Sequence, residues 1–249
     1  MKSLYDFPEI YAVLLEVTDL EFEPIAGILA RHGVNPDSVL DPACGPGGWL
    51  EAFARGMGCH VAGNDIRRSM VEAARTRMPR GEWVCGDMTD LSFATGPFAA
   101  AINLSSSVGH LPDDEAVRAH LRSVNAQLAP GGVYLLEVSR PQQSRRRPRH
   151  LWTSRKCAVL AGHARVSYRS VAVDIDARTE QIAVELTTWN IDDAPRQLLE
   201  TYVLRTFPKR LLRCLVEEAG FTIVAEMSNP SASDDLLMVL RKGTEPLSL

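Results

Sequence analysis

The spacing of apolar and polar positions changes along this chain. Two stretches near the start, roughly residues 8–17 and 22–31, carry apolar residues at helical spacing, and His32-Gly33 is typical of a helix C-terminus. From residue 37 onward, short apolar runs alternate with longer amphipathic stretches, which is typical of βαβ units. The pattern therefore predicts two N-terminal helices followed by an α/β domain, with a mostly parallel sheet covered by helices on both faces.

After residue 140 this alternation stops. Residues 141–150 are polar and proline-rich, and three later segments alternate apolar and polar positions with a period of two: HARVSYRSVAVDI, EQIAVELTTWNI and RQLLETYVLRTF. We predict an antiparallel insertion of about three strands. A helix over residues 209–219, stopped by Gly220, and two strands, FTIVAEM and LLMVLRK, then return the chain to the α/β domain.

The changes of pattern predict three regions. Residues 1–36 form a helical cap over the ligand site, residues 37–140 and 208–243 form the α/β core, and residues 141–207 form an inserted β lid. The formal charge of −4 gives no positive field for nucleic acid or anionic lipid. The acidic first twenty residues do not resemble a signal peptide, and no segment approaches the ~18 apolar residues of a membrane span, so we expect a cytoplasmic enzyme or binding protein.

The five cysteines are scattered, odd in number and without a CxxC pair. This distribution argues against a zinc site and against a disulfide framework. We therefore expect reduced, mostly buried thiols.

A glycine loop follows the first predicted strand in VLDPACGPGG. Asp41 ends that strand, and Gly45, Gly47 and Gly48 would let backbone atoms approach a ligand closely. A dinucleotide site would need GxGxxG, but Leu50 occupies the position of its last glycine. An acid ahead of the loop also suits a cationic ligand better than a phosphate.

Two further acids end the next predicted strands. Asp65 in GNDI lies where a carboxylate can accept hydrogen bonds from ribose hydroxyls, and Asp87-Met88 in CGDM could pair with the amine and ring nitrogen of an adenine. A single acid at a strand end is commonly a turn or cap residue. Three acids in register, one of them before a glycine loop, favour a ligand site at the carboxyl edge of the sheet.

Together these motifs resemble the class I S-adenosylmethionine-dependent methyltransferases. VLDPACGPG is similar to the family's glycine loop, with Ala43 where a glycine is usual, and LAPGG is similar to the turn before the fifth strand. PFAAAI at the fourth strand has Ala99 where the family frequently has an aspartate. The resemblance implies a Rossmann-like, seven-stranded, mostly parallel sheet with an antiparallel last strand.

The resemblance also implies the cofactor and the residues that hold it. The cofactor is S-adenosyl-L-methionine, the product is S-adenosyl-L-homocysteine, and no metal takes part. By the same resemblance Asp41 and the glycine loop hold the methionine moiety, Asp65 the ribose, and Asp87 with Met88 the adenine. The full predicted cofactor set is Tyr11, Asp41, Ala43, Gly45, Gly47, Asp65, Ile66, Asp87, Met88 and Asn103.

His110 and Tyr5 are the candidate catalytic residues. His110 lies in NLSSSVGHL, just past the fourth predicted strand, and could remove a proton from the acceptor. Aminosugar N-methyltransferases of antibiotic pathways have a similar SSxGHL segment and an N-terminal tyrosine pair, similar to Tyr5 and Tyr11. A hydrogen-bonded loop histidine and tyrosines packed along an amphipathic helix would explain the same residues without catalysis.

The acceptor is predicted to be a small molecule. The arginine run at residues 145–149 could clamp phosphates, although such a run is usually a solvated loop, and the fourth strand lacks the NPPY-like signature of base-amine methyltransferases, so we expect no nucleic acid. The inserted strands could form a lid or a homodimer interface, and their aromatic residues could line the lid or pack in a core: Trp152, Tyr168, Trp189 and Tyr202.

The leading hypothesis is methyl transfer to a nitrogen or oxygen of a small molecule in natural-product biosynthesis. C-methylation stays open because the cofactor site would be the same. A nucleotide-dependent oxidoreductase is disfavoured by Leu50 and Asp41. A protein that keeps the fold and binds the cofactor without methyl transfer also stays open.

Overall fold

The computed structural model describes residues 2–139, 149–159, 162–190, 192, 196–228 and 235–244. The chain divides into two compact units, one formed by Met1–Glu16 with Pro141–Thr206 and the other by Val17–Arg140 with Phe207–Leu249. The helical region predicted at residues 1–36 is therefore not one piece, because it is divided between the two units at residue 17.

The described part of the chain contains six α-helices and eleven β-strands. They are α1 (Pro8–Leu14), α2 (Asp19–Arg31), β1 (Ser38–Asp41), α3 (Gly48–Met57), β2 (His60–Asp65), α4 (Arg68–Arg77), β3 (Glu82–Cys85), β4 (Phe98–Asn103), α5 (Asp114–Gln127), β5 (Leu128–Val138), β6 (Arg149–Val159), β7 (Gly162–Asp174), β8 (Thr179–Trp189), β9 (Gln197–Arg205), α6 (Lys209–Glu218), β10 (Phe221–Ser228) and β11 (Leu236–Lys242).

One seven-stranded sheet forms the centre of the larger unit. Its strand order is β10-β11-β5-β4-β1-β2-β3. The last strand, β11, runs antiparallel to both of its neighbours, while β1 to β5 pair in parallel. The predicted seven-stranded methyltransferase sheet is thus confirmed.

Helices cover both faces of this sheet, which explains why its strands are apolar at successive positions. Val39 faces a core that contains residues of α2, α3 and α4, whereas Leu40, its neighbour in β1, faces a core that contains residues of α5 and α6. Both side chains are fully buried. Burial on both sides fixes the strand register, because a shift by one residue would exchange the two faces.

The order of the strands reverses between β1 and β4, since their crossover helices lead to opposite sides of the sheet. Ligands of open α/β sheets bind in the crevice beyond the carboxyl ends of the strands at such a reversal. Asp41 ends β1 and Asn103 ends β4 at this point, and Asp65 ends the adjacent β2. The topology therefore brings these three predicted site residues to one edge.

The smaller unit contains a four-stranded antiparallel sheet, β6-β7-β8-β9, where the sequence predicted about three strands. The missed strand, β6, begins at Arg149, inside the stretch interpreted as a loop. Its sequence, RHLWTSRKCAV, has no clear period of two, and its order comes from pairing with β7 at a sheet edge. A search for period-two alternation does not detect a strand whose sequence lacks it.

The core of the smaller unit lies on one face of this sheet. Val166, Val184 and Leu186 are fully or almost fully buried there, and they cluster with Ile10 and Leu14 of α1. Within the part of the chain that the structure describes, no helix has the length and apolar content needed to cross a membrane.

Gly63 in β2 provides a test of the packing next to the site. A Cβ atom at Gly63 would lie 2.6 Å from the Trp83 ring and 2.7 Å from Cys44 Sγ. Because these neighbours are buried, Gly63→Ala should lower the free energy of unfolding by about 1–3 kcal/mol, measured by urea denaturation.

Gly27→Ala is the matched control, because Gly27 lies inside α2 and its added Cβ would meet nothing closer than Arg31 Nη1 at 3.5 Å. Alanine favours the helix, so this variant should gain about 0.5–1 kcal/mol. Equal stability of Gly63→Ala and the unsubstituted protein would contradict the packing described for β2.

Candidate functional site

The glycine loop joins β1 to α3 with a backbone that ordinary residues rarely adopt. Gly45 has a φ of 52° and Gly47, the N-cap of α3, has a φ of 82°. A Cβ atom at Gly47 would also lie 2.9 Å from Met78 Cε. The loop is tied to β2 because the Cys44 N–H donates to the Asn64 carbonyl oxygen at 2.8 Å. Glycine is thus required at Gly47 both by the dihedral angle and by the close neighbours.

Asp41 is a buried carboxylate at the centre of the site. Its side chain is 5% exposed, and its Oδ1 accepts a hydrogen bond from the Ala43 N–H at 3.0 Å. Burial raises the pKa of Asp41 to about 7, the Ala43 hydrogen bond opposes this shift, and the negative charge of Asp65 adds to it. A cation placed beside Asp41 would lower this pKa and stabilise the ionised form.

Asp65 holds the glycine loop against the end of β2. Its Oδ2 accepts from the Gly45 N–H at 2.9 Å and its Oδ1 accepts from the Arg67 N–H at 2.8 Å. Burial raises the pKa of Asp65, and these two backbone hydrogen bonds oppose the rise. Each carboxylate oxygen has a second lone pair, so both can still accept from a ligand hydroxyl.

Asn64 is a site residue that the sequence interpretation missed. It is 1% exposed, and its Nδ2 donates to the Pro42 and Gly86 carbonyl oxygens, each at 3.0 Å. These partners follow β1 and β3, so one amide connects the ends of three adjacent strands. The sequence shows only an asparagine beside a strand-end acid. Its hydrogen-bond partners lie 22 positions away in both directions, so the local sequence does not indicate its role.

Asp87 is exposed and forms a local turn after β3. Its Oδ1 accepts from both the N–H and the hydroxyl of Thr89, each at 2.8 Å. The turn role that the sequence left open is therefore present, and Asp87 Oδ2 stays available for a further bond. Met88 is half-buried, while Ile66 is 72% exposed beside Asp65.

Asn103 presents a buried side-chain amide at the end of β4. The residue is fully buried, yet neither its Oδ1 nor its Nδ2 has a hydrogen-bond partner among the described residues. An unsatisfied buried polar group costs about 1–3 kcal/mol. Both atoms would be satisfied by a polar ligand that reaches the carboxyl edge of the sheet.

His110 ends a short 3₁₀ helix, residues 107–110, after β4. Its side chain is exposed on the surface, and its pKa is lowered from 6.5 by partial loss of hydration and by the positive charge of Arg67. The imidazole is therefore neutral at pH 7 and can accept a proton. Ser105 and Ser106 lead into this turn with φ values of 61° and 55°, a strained backbone of the kind found at functional sites.

Tyr5 and Tyr11 lie in the smaller unit. Their ring centroids are 5.5 Å apart. Burial raises the pKa of Tyr168 and of Tyr202, and the neighbouring Tyr5 and Tyr11 add to both shifts. Four tyrosines thus form one cluster, while the acceptor role of Tyr5 and the cofactor role of Tyr11 stay predictions.

The predicted arginine run falls mostly outside what the structure describes. Residues 145–148 of the arginine run lie beyond the described ranges, and Arg149 is the first residue of β6. Within the described ranges, no group of three or more histidine, cysteine, aspartate or glutamate residues could hold a metal ion.

Comparison with known proteins finds similarity to methyltransferases. A family model described as a methyltransferase domain matches residues 39–132. The chain is 35% identical over 117 residues to the dTDP-3-amino-3,4,6-trideoxy-alpha-D-glucopyranose N,N-dimethyltransferase of Streptomyces venezuelae, a match covering 47% of this chain and 48% of the relative. The chain thus spans about half the length of this curated relative.

Solved structures match over almost the whole chain. Streptomyces venezuelae DesVI superposes with a TM-score of 0.75 at 23% identity, covering 96% of this chain and 97% of that one. CalS10 from Micromonospora echinaspora, an amino pentose methyltransferase solved with S-adenosylmethionine, gives a TM-score of 0.72 at 21% identity, covering 97% and 99%. At these identities the match concerns the fold.

The matched residues include Asp41 at the end of β1, the glycine loop, Asp65, Asp87 and Asn103, which lie at the carboxyl edge. Residues 39–132 thus match a methyltransferase domain, and the chain shares the fold of DesVI and CalS10.

Proposed function

We propose that this protein transfers a methyl group from S-adenosylmethionine to the amino nitrogen of a small-molecule acceptor, a nucleotide-linked amino sugar of natural-product biosynthesis. The observation that carries the proposal is the buried Asp41 carboxylate beside a bare-backbone loop, with a pKa near 7 and Asp65 close by. A cationic ligand relieves this unfavourable arrangement of charge, whereas an anionic one would worsen it. The named relative supports the acceptor class, because it acts on a dTDP-linked amino sugar.

The residues at the carboxyl edge fit the parts of this cofactor. Asp41 would face its positive charge, and the unsatisfied amide of Asn103 would bond its polar groups. Asp65 has lone pairs left for the ribose hydroxyls, and exposed Ile66 offers an apolar surface to the adenine face. Asp87 Oδ2 and the Met88 backbone would bond the adenine edge. When bound, S-adenosylmethionine supplies an electrophilic methyl group.

His110 would prepare the acceptor. An amino sugar is protonated near neutral pH, and its nitrogen must lose that proton before it can attack the methyl carbon. The neutral imidazole of His110 would accept that proton, and the freed lone pair of the nitrogen would displace S-adenosylhomocysteine from the methyl carbon. Much of the remaining rate enhancement would come from holding nitrogen and methyl carbon in line at near-attack distance.

Labelled-methyl transfer tests the activity as a whole. Purified protein is incubated with methyl-labelled S-adenosylmethionine and a panel of dTDP-amino sugars, phenols and carboxylic acids. Label on the amino sugars supports the proposal. Label only on an oxygen or carbon acceptor would correct the reaction type, and tight cofactor binding without any transfer would indicate a cofactor-binding protein.

The raised pKa of Asp41 predicts how cofactor affinity depends on pH. Asp41 with a free pKa of about 7 is largely protonated at pH 6 and ionised at pH 8, and the ionised form attracts the positive charge of the ligand. Calorimetric affinity for S-adenosylhomocysteine, whose amino group is cationic in this range, should therefore rise from pH 6 to pH 8. Asp41→Asn should bind more weakly and lose this pH dependence.

Asp37→Asn is the matched control, because Asp37 is exposed just before β1, at its opposite end. It should keep the affinity and the pH dependence of the unsubstituted protein. A pH-independent affinity in the unsubstituted protein would show that Asp41 does not face the ligand's charge.

Asp65→Ala should weaken S-adenosylhomocysteine binding by about 10- to 100-fold at pH 8, the equivalent of roughly 1.5–3 kcal/mol. The variant loses the acceptors for the ribose and also the carboxylate that holds the Gly45 N–H. Asp65→Asn retains one acceptor oxygen, so its affinity should lie between those of the unsubstituted protein and Asp65→Ala. Calorimetry checks this series, and affinity unchanged in Asp65→Ala would remove Asp65 from the site.

His110→Asn should lower the rate of methyl transfer by about 10²–10⁴-fold while leaving S-adenosylhomocysteine affinity within about twofold. Because the pKa of His110 is lowered, the acid limb of the pH–rate profile in the unsubstituted enzyme should lie below pH 6.5. His60→Asn, at the amino end of β2, is the control and should keep normal turnover. Normal turnover of His110→Asn from pH 5 to pH 9 would leave His110 without a catalytic role.

A further inference from the structure

One face of α5 carries three polar side chains that bond the chain segment after β3. Among residues 88–91, the Met88 carbonyl oxygen lies 3.1 Å from His120 Nδ1, and the Leu91 N–H donates to Ser123 Oγ at 2.7 Å. The Leu91 carbonyl oxygen accepts from Gln127 Nε2 at 3.0 Å. Spacings of three and four residues place these side chains on one helical face.

His120 lies inside the core beneath this segment. It is fully buried, and its second ring nitrogen, Nε2, lies 2.8 Å from the Tyr134 hydroxyl on β5. A carbonyl oxygen can only accept, so Nδ1 carries the proton and donates to Met88. Nε2 is then the acceptor, and Tyr134 donates to it. In this one arrangement both ring nitrogens of His120 have a hydrogen-bond partner.

The charge state of His120 keeps this arrangement unchanged. Burial lowers the pKa of His120 to about 4, against the Met88 hydrogen bond and the negative charge of Asp87, which raise it. The imidazole is therefore neutral across the physiological range and has a single donor. The hydrogen-bond direction from Tyr134 to Met88 does not change with pH in that range.

The segment after β3 needs such support because of its place in the sheet. β3 has four residues and is an edge strand, and β2 is its only partner among the strands that the structure describes. Gly86 separates Asp87 and Met88 from β3, and their turn is held by Thr89 and by the Asp90 N–H, which donates to the Asp87 carbonyl oxygen at 3.1 Å. The α5 side chains connect this edge to β5, which lies four positions across the sheet.

We infer that His120, with Ser123 and Gln127, is a positioning residue that sets the orientation of the Asp87–Met88 backbone for recognition of the adenine edge. The inference rests on the proposed function, because it assumes that adenine binds at this segment. His120 touches no ligand itself and acts through the Met88 carbonyl oxygen. Its effect should therefore appear in discrimination between bases more than in overall affinity.

The test compares two ligands that differ only at the base, S-adenosylhomocysteine and S-inosylhomocysteine. Inosine presents a carbonyl and a protonated ring nitrogen where adenine presents an amine and an acceptor, so the unsubstituted protein should prefer the adenosyl ligand. His120→Leu removes the donor to Met88 and should weaken adenosyl binding about tenfold while changing inosyl binding less than twofold. The preference should thus fall by nearly the same factor.

His120→Asn is the rescue variant, because its amide nitrogen can occupy a position close to that of Nδ1 and donate to Met88. It should recover most of the base preference. Arg122→Ala is the matched control on the same helix, since Arg122 is exposed and its side chain pairs with Glu115. It should leave both affinities unchanged.

Equal weakening of both ligands in His120→Leu, or no change in either, would overturn the inference while cofactor binding by the unsubstituted protein still supports the proposed function. Absence of binding to either ligand by the unsubstituted protein would overturn both. Thermal unfolding shows whether His120→Leu folds. If it does not, Gln127→Ala, which removes one bond to Leu91, should show a smaller loss of preference, and an unchanged preference there would overturn the inference.

Discussion

The site depends on the hydrogen bond between the Gly45 N–H and the Asp65 carboxylate. This bond and the Asn64 amide hold the glycine loop against the ends of β2 and β3, so that the loop stays open toward a ligand without side chains of its own. A loop with positive φ angles has no regular partners for its backbone groups, and buried N–H groups that lack partners are costly. Residues of the next strand supply those partners here.

The same arrangement concentrates negative charge at the carboxyl edge. Asp41 and Asp65 both have raised pKa values because burial disfavours their charge, and the negative charge of Asp65 raises the pKa of Asp41 further. The buried Asn103 amide adds a further polar group without a partner among the described residues. Buried carboxylates and an amide without a partner make the fold less stable than it could be. Residues that destabilise the fold in this way concentrate at functional sites.

Hydrogen bonds from α5 support the candidate site from behind. The polar face of α5 and the buried Tyr134 connect β5 with the segment after β3, which lies near the other edge of the sheet. Local sequence around His120 shows an amphipathic helix and nothing more, because histidine is an ordinary residue on a helical face. Its role appears only when Met88 and Tyr134, far apart in sequence, are seen as its two partners.

The sequence by itself determined the α/β core, because strands buried on both faces must be continuously apolar and helices between them must be amphipathic. It also predicted a ligand site at the carboxyl edge of the sheet, since glycines after a strand and the strand-end acids Asp41, Asp65 and Asp87 are visible as local motifs. Only the tertiary structure decided the existence of β6, whose edge position needs no regular pattern, and the division of the N-terminal helices between two units. Only the tertiary structure shows the hydrogen bonds of Asn64 and His120 as well. A hydrogen bond between distant residues depends on strand order and helix placement, and the local sequence pattern does not contain that information.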